Sequence, residues 1–236
     1  MLRYDASQPL IALHIPKTGG TSLRHVLEQW FDPSHLRLYY PADPLFAHAP
    51  AAGGPGSCIY GHFNALRGAA ARALYPEARQ YMAFFREPYL RFVSQWYHLN
   101  AQKQSGALIP ALDDAPSFER WLQQRAEDQR RGRNAYSFIW HLPWQPGQDK
   151  IAAVLDEHFV FLGLTERMDE SVAGLAVVLG RQAVAPPHLN AVARAGTEFP
   201  QWRRLFEQNF ADEMAVYEQV RKRHLAWAQE LKGAIH

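Results

Sequence analysis

Cysteine is almost absent from this chain, because Cys58 is the only one among 236 residues. A lone cysteine excludes an internal disulfide and a cysteine-based metal cluster, and it favours a reducing compartment. No apolar run approaches the ~20 residues of a transmembrane helix, and the first residues lack a signal-peptide pattern. We therefore expect a cytoplasmic protein with no integral membrane segment.

An excess of basic charge is also missing. The 25 Lys and Arg side chains nearly balance the 23 Asp and Glu side chains, so the formal net charge is only +2 at pH 7. A nucleic-acid-binding domain ordinarily carries a clustered basic face, and we expect no nucleic-acid partner. Hydrophobic residues make up 47% of the chain, which can supply the core of one domain. We expect residues 1–236 to form that single domain.

Short apolar runs alternate with helical patterns along the chain. The runs predict strands at residues 10–15, 58–60, 81–85 and 159–164. Helices are predicted at residues 23–31, 64–74, 88–99, 118–125, 151–158, 165–179 and 199–231, and a loop rich in proline, alanine and glycine at 41–57. This alternation favours an α/β fold with a mostly parallel central sheet flanked by helices.

The first predicted strand runs into a glycine loop, Pro-Lys-Thr-Gly-Gly-Thr-Ser, at residues 16–22. The glycines let the backbone approach a ligand, and N–H groups at the start of the following helix attract anions. The candidate anion-binding residues are Lys17, Thr18, Gly19, Gly20, Thr21 and Ser22. A nucleoside triphosphatase loop would place its lysine after the glycines, whereas Lys17 precedes them. The alternative to an anion site is a turn that binds nothing.

A second strand-to-helix junction carries Phe-Arg-Glu-Pro at residues 85–88. Pro88 suits the first turn of a helix, which places Arg86 at the strand end and Ser94 on the helix. An arginine binds phosphate bidentately, and a serine hydroxyl donates a further hydrogen bond. The alternative is that both side chains are ordinary solvated polar groups.

A glycine–histidine pair, Gly61-His62, follows the predicted strand at 58–60 and lies between the two motifs. Histidine titrates near neutrality and suits the role of a general base. The chain has 11 histidines, so the alternative is a strand-end histidine bonded to the backbone. Lys17, His62 and Arg86 all follow predicted strands, and a parallel sheet brings such positions to one edge.

These strings resemble the family of heparan sulfate 2-O-sulfotransferase and its bacterial relatives, which use 3′-phosphoadenosine-5′-phosphosulfate (PAPS). The resemblance implies a three-layer P-loop-like fold and transfer of the PAPS sulfuryl group to a hydroxyl of a carbohydrate or glycolipid. It implies that residues 17–22 hold the 5′-phosphosulfate and that Arg86 and Ser94 hold the 3′-phosphate. His62 would deprotonate the acceptor, and Lys17 would neutralise charge on the leaving phosphate, a scheme that requires no metal. The animal relatives are Golgi membrane proteins, whereas this sequence is similar to a bacterial cytoplasmic form.

A late segment is similar to a further part of the family. In sulfotransferases a late loop closes over the adenosine and the 3′-phosphate, and relatives often carry a His-x-Asn string there. Residues 186–196 resemble this loop, which makes His188, Asn190 and Arg194 candidate cofactor-binding residues. A plain surface loop is the alternative.

Two other functions fit parts of the pattern. One is a P-loop nucleotide kinase or other nucleoside triphosphatase, against which the order of lysine and glycines and the lack of a clear acidic strand end for magnesium argue. The other is a non-catalytic module that binds an adenosine phosphate. Magnesium-dependent ATP turnover would favour the first, and cofactor binding without transfer to any acceptor would favour the second.

Overall fold

The structure is a computed structural model, and it describes residues 1–113, 115–187 and 199–234. Its centre is a five-stranded sheet in which every pair of neighbouring strands is parallel. The strands in chain order are β1 (Leu10–Leu13), β2 (Leu36–Tyr39), β3 (Cys58–Gly61), β4 (Gln80–Phe85) and β5 (Phe159–Leu164). Their spatial order is β2-β3-β1-β4-β5, which places the first strand in the middle. The predicted parallel sheet is confirmed.

Helices pack on both faces of this sheet. The α-helices within the described ranges are α1 (Gly20–Trp30), α2 (Ala71–Leu74), α3 (Pro88–Gln104), α4 (Phe118–Arg130), α5 (Ile151–His158), α6 (Met168–Leu179), α7 (Arg203–Asn209) and α8 (Ala211–Ala234). Helices α1 and α6 pack against one face through Leu27 and Leu175. Helices α5 and α8 pack against the other through Leu155 and Val220. The three-layer α/β arrangement is therefore confirmed.

Alternation along the central strand divides the core between the two faces. In β1, Leu10 contributes to the core under α1 and α6, whereas Ile11 contributes to the core under α5 and α8. A separate aromatic cluster joins α3, α4 and α7, where the Phe92 ring centroid lies 5.8 Å from that of Trp121 and 4.9 Å from that of Phe206. This cluster fixes the helix that follows the carboxyl end of β4.

Several helix predictions are wrong in their extent. Helix α3, predicted over 88–99, continues to Gln104. The helix at 64–74 is broken, because a 3-10 turn at Ala65–Arg67 ends in Gly68 with a left-handed φ of +74° and α2 contains only Ala71–Leu74. Helix α4 continues past residue 125 to Arg130, because Ala126 still packs into the aromatic cluster. The region 199–231 is divided at Phe210, which leaves helical geometry to bury its ring against Phe92 at 4.8 Å.

Strand β2 was not predicted from the sequence. Its four residues, Leu-Arg-Leu-Tyr, include only one buried side chain, Tyr39, so no apolar run marks the strand. The loop prediction at 41–57 is confirmed, since these residues contain neither helix nor strand. No helix within the described ranges combines the length and the apolar character needed to cross a membrane.

Candidate active site

The carboxyl ends of the strands form one edge of the sheet, where all three predicted motifs meet. Lys17 comes after β1, His62 directly after β3 and Arg86 directly after β4. The register pairs Leu13 with Gly61, so the residues that follow them stand side by side across the two strands. Ligands of parallel α/β sheets bind at this edge.

The loop between β1 and α1 has an unusual backbone. Lys17 has φ +66° and Gly19 has φ +79°, and the left-handed region is uncommon for a lysine. The buried Thr18 hydroxyl donates to the Ile15 carbonyl at 2.8 Å and thereby closes the turn. Such backbone strain occurs most often at ligand-binding positions.

The first turn of α1 leaves several amide groups for a ligand. Gly19 precedes the helix and provides no side-chain cap. The Leu23 N–H donates to the Gly19 carbonyl at 3.1 Å, and the helical amides before Leu23 have no carbonyl within the helix to bond. These amides belong to Gly20, Thr21 and Ser22. Together with the positive end of the helix dipole, these amides give the start of α1 the chemistry that suits an anion.

His62 is held at the sheet edge as a neutral imidazole. Burial, followed by the smaller effect of the Arg67 charge, lowers the pKa of His62 to about 4. At pH 7 the ring therefore has a lone pair that can accept a proton. Its Nε2 is buried and has no hydrogen-bond partner in the described part of the chain. Leaving such an atom unsatisfied is destabilising, and a substrate hydroxyl would satisfy it.

Two rings that the sequence analysis did not single out flank His62. The ring centroids of His14 and His62 lie 4.4 Å apart, and the Tyr40 ring meets His62 edge-on at 4.8 Å. His14 directly follows β1 and Tyr40 directly follows β2. The position immediately after a strand would be the signal for both residues, but the strand predicted at 10–15 includes His14, because β1 ends earlier, at Leu13, and β2 was not predicted.

A buried ion pair, also not predicted, contacts the loop. Arg91 on α3 is 2% exposed, and its Nε donates to the Pro16 carbonyl at 3.2 Å. Its Nη1 lies 3.0 Å from Oε2 of Glu213 on α8. The Glu213 carboxylate also accepts the Phe138 N–H at 2.9 Å and a bond from the Ser137 hydroxyl. Because burial removes both charges from water, it raises the pKa of Glu213 and lowers that of Arg91.

The second motif lies where β4 passes into α3. Arg86 and Ser94 are both partly exposed. The Glu87 carboxylate accepts the Leu90 N–H at 2.7 Å, and Pro88 is the first helical residue, so the helix begins at a fixed place. This fixed start determines where Ser94 stands relative to Arg86.

The positive charge of Lys17 acts on a side chain of α3. Burial and, to a smaller extent, the positive charge of Lys17 lower the pKa of His98. His98 follows Ser94 by four residues, and residues with this spacing share one face of a helix. The loop lysine therefore acts electrostatically on the helix that carries the serine of the second motif.

The three late-loop candidates, His188, Asn190 and Arg194, lie outside the described residues. The described chain resumes at Phe199, whose ring stacks on Phe118 at 4.6 Å and on Tyr97 at 5.8 Å. Tyr97 is three residues after Ser94 on α3. Phe199, the first described residue after the late segment, is thus packed against the helix of the second motif.

The arrangement can hold an anion next to a neutral base. The loop supplies amide groups and a lysine, the β4–α3 junction supplies an arginine and a serine, and His62 supplies the base. Within residues 1–113, 115–187 and 199–234 no three His, Cys, Asp or Glu side chains are grouped so that they could hold a metal ion.

Comparisons with known proteins identify the family of the chain, and a solved structure shares its fold. Residues 1–230 match the model of a family described as the sulfotransferase family. A crystal structure of a sulfotransferase from Alicyclobacillus acidocaldarius is similar over 94% of this chain and 99% of that chain, with 17% identity and a TM-score of 0.52. A mouse sulfotransferase, SULT7A1, complexed with PAP, covers 77% of this chain and 61% of its own, with 15% identity and a TM-score of 0.47. No curated protein sequence matches the chain.

Proposed function

The chain belongs to the sulfotransferase family, and from this premise we propose that it transfers a sulfuryl group from PAPS to a hydroxyl of a carbohydrate or glycolipid. The observation that carries the proposal is a neutral imidazole, His62, at the sheet edge where an anion-binding loop begins α1. The similarity of the motifs to those of heparan sulfate 2-O-sulfotransferase suggests the acceptor class.

The donor site proposed here uses both strand-to-helix junctions. The amides and hydroxyls of residues 17–22 bind the 5′-phosphosulfate, because unpaired N–H groups at a helix start suit an anion. Arg86 and Ser94 bind the 3′-phosphate. We include His188, Asn190 and Arg194 in the site, since the described chain next to them is anchored on α3. PAPS supplies the activated sulfuryl group when it is bound.

His62 acts on the acceptor in this scheme. A ring nitrogen takes the hydroxyl proton while the acceptor oxygen attacks sulfur, a role that a neutral imidazole can fill at pH 7. The low pKa makes the base weak but keeps it unprotonated, and the rings of His14 and Tyr40 hold it in place. Removing a hydroxyl proton during attack avoids the formation of a cationic intermediate.

Lys17 acts on the leaving group, the phosphate of the donor. Its ammonium group neutralises charge that develops on the phosphate as the bond to sulfur breaks. The left-handed backbone of Lys17 fixes where its side chain leaves the loop. Lys17 is therefore both a donor-binding and a catalytic residue in the proposed mechanism.

At the level of the whole protein we propose a single sulfotransferase domain, residues 1–236. The described elements share one sheet and its two covering layers of helices, which supports this view. The bacterial source and the cytoplasmic location indicated by the sequence stay predictions.

The direct test is transfer of labelled sulfate from PAPS to candidate glycans and glycolipids, with the products identified by mass spectrometry. We expect label on an acceptor hydroxyl with the wild-type protein and a strongly reduced signal with His62→Ala. The matched control is His25→Ala, which changes an exposed histidine on the outer surface of α1.

Two other outcomes would contradict the proposal in different ways. Binding of 3′,5′-adenosine bisphosphate without transfer across a broad acceptor panel would indicate a binding module. Magnesium-dependent turnover of ATP, with no preference for a 3′-phosphate, would indicate a nucleoside triphosphatase.

A further inference from the structure

A second histidine, His14, lies between the proposed base and the phosphosulfate loop. It directly follows β1, and its backbone N–H donates to the Gly61 carbonyl at 2.8 Å. Its ring centroid is 4.4 Å from that of His62. The mechanism proposed above gives this imidazole no chemical step.

The orientation of the His14 ring is fixed by two tyrosines. The ring stacks on Tyr60 with centroids 5.0 Å apart and planes 10° from parallel. The Tyr40 ring stands edge-on to it, and the Tyr40 hydroxyl lies 3.2 Å from His14 Nδ1. Tyr60 is itself anchored, because its hydroxyl donates to the Gly20 carbonyl at 2.7 Å. The Nδ1 atom of His14 is therefore hydrogen-bonded to Tyr40, whereas Nε2 points away from that tyrosine.

The other nitrogen, Nε2, lies against the first residue of α1. A Cβ atom at Gly20 would come within 1.7 Å of His14 Nε2, so the imidazole fills the space that a side chain at position 20 would need. Among the described residues the His14 ring makes its hydrogen bond through Nδ1, and Nε2 makes none. The nitrogen thus sits at the helix start where the loop amides point out.

His14 is a neutral imidazole in this setting. Burial is the main cause that lowers its pKa well below the usual value, and the charges of His62, His141, Lys17 and Arg24 act in the same direction. A neutral imidazole has one N–H and one lone pair. When the Tyr40 hydroxyl donates to Nδ1, the proton resides on Nε2, next to the anion site.

We propose that His14 is a further catalytic residue, whose Nε2–H donates a hydrogen bond to the sulfuryl group held on residues 17–22; this inference rests on the proposed function. During transfer a bond forms between the acceptor oxygen and sulfur, and the bond between sulfur and the bridging oxygen breaks. The electron pair of that bond leaves with 3′,5′-adenosine bisphosphate, and the acceptor proton goes to His62. His14 keeps its own proton and stabilises charge on the sulfuryl oxygens.

The test compares two ligands that differ only in the group that His14 would contact. PAPS carries the sulfuryl group, and 3′,5′-adenosine bisphosphate lacks it. Calorimetry on His14→Phe, which keeps a ring but no donor, should show PAPS binding weakened by about tenfold to a hundredfold, the usual range for a hydrogen bond to a charged group. Binding of the bisphosphate should change by about twofold or less. His14→Gln, which can present an amide donor, should recover most of the PAPS affinity.

Control measurements separate this role from a structural one. His25→Phe places the same change on the exposed surface of α1 and should alter neither affinity. Equal weakening of both ligands in His14→Phe, or no rescue by His14→Gln, would overturn the proposal. Nitrogen NMR of the wild-type protein gives a readout without any variant, and a proton found on Nδ1 instead of Nε2 would also overturn it. If the wild-type protein binds neither ligand, the proposed function itself fails.

Discussion

At the scale of single residues, the charge state of His62 determines how activity should depend on pH. Because burial holds its pKa at about 4, the imidazole stays neutral across the range in which an exposed histidine would titrate. We expect kcat/KM for PAPS to be level from about pH 6 upward, since this ratio reports the free enzyme. A rise in kcat/KM through the usual histidine pKa near 6.5 would contradict this assignment.

Replacement of His62 should separate chemistry from binding. His62→Ala should lower turnover by about 10²–10⁴-fold, the usual contribution of a general base. Affinity for 3′,5′-adenosine bisphosphate should stay the same, because the base faces the acceptor. His62→Gln restores hydrogen bonding without proton transfer and should not recover turnover. Full activity in His62→Ala with an unchanged circular dichroism spectrum would place the base elsewhere.

Arg86 should determine which nucleotide the site prefers. A 3′-phosphate that accepts bonds from Arg86 should make 3′,5′-adenosine bisphosphate bind more tightly than ADP by about tenfold to a hundredfold. Arg86→Ala should remove most of this preference, measured by calorimetry. Arg79→Ala, at an exposed position just before β4, should leave it intact. Equal affinity of the wild-type protein for the two nucleotides would show that no 3′-phosphate site exists.

The sequence predicts some of these residues and not others for a physical reason. Lys17, His62 and Arg86 follow apolar strands that a linear pattern reveals. The partners of His62 do not follow from such a pattern, because His14 approaches it through the register of β1 with β3. Tyr40 directly follows β2, a strand whose side chains are mostly half-buried. Which residues are neighbours across a sheet depends on the order and register of the strands, and these cannot be read from a single sequence.

At the scale of elements, the Arg91–Glu213 pair connects three parts of the chain. Arg91 belongs to α3 and Glu213 to α8, and the same guanidinium donates to the Pro16 carbonyl of the loop. Both side chains are at most 2% exposed. A buried charge that loses its partner is strongly destabilising, so this contact makes the loop depend on two distant helices.

Glu213→Gln should therefore reduce both stability and donor binding. The variant leaves the Arg91 charge buried without its counter-charge, and we expect the free energy of unfolding to fall by about 3–5 kcal/mol, measured by urea denaturation. Affinity for 3′,5′-adenosine bisphosphate should fall as well, because Arg91 also positions Pro16.

An exposed ion pair on the same helix provides the matched control. Glu218 pairs with Arg221 at 2.9 Å, and both side chains are more than two-fifths exposed. Glu218→Gln should change the free energy of unfolding by less than about 1 kcal/mol and leave donor binding unaltered. A similar, small effect of both substitutions would mean that the buried pair does not support the loop.

The limits of prediction at this scale have a similar origin. Strands β1, β4 and β5 are buried on both faces, and their apolar runs identify them. The helix predicted at 64–74 fails because Gly68 takes a left-handed backbone, which a hydrophobic pattern does not encode. The Arg91–Glu213 contact joins residues 122 positions apart, so no local sequence pattern indicates it.

At the scale of the whole molecule, buried neutral histidines should make the fold sensitive to mild acid. Burial is the main cause that lowers the pKa of His62 to about 4 and that of His141 to about 3. In the unfolded chain both titrate near 6.5. Below that pH the unfolded state binds protons that the folded state does not, so stability is complete above pH 6.5 and is lost as pH falls toward the folded pKa values.

We expect the free energy of unfolding in urea to fall between pH 7 and pH 5 by about 2 kcal/mol for each of these histidines. Asp32 contributes nothing in this window, because bonds from Ser34 and His35 lower its pKa to about 2. His141→Gln should lose part of the pH dependence, whereas His35→Gln, an exposed position, should keep all of it. Equal stability at pH 7 and pH 5 would contradict the prediction.

The contact between Arg91 and Pro16 also bears on the order in which the chain folds during its synthesis. During synthesis Pro16 leaves the ribosome well before Glu213, which lies on α8. Until α8 docks, the Arg91 charge has no buried partner and the carbonyl of Pro16 lacks its fixed donor. The nascent chain can therefore pair β1 with β3 and β4 before the buried ion pair supports the loop. A protein cut short before α8 would carry every residue of the loop and the base, and yet it would be inactive.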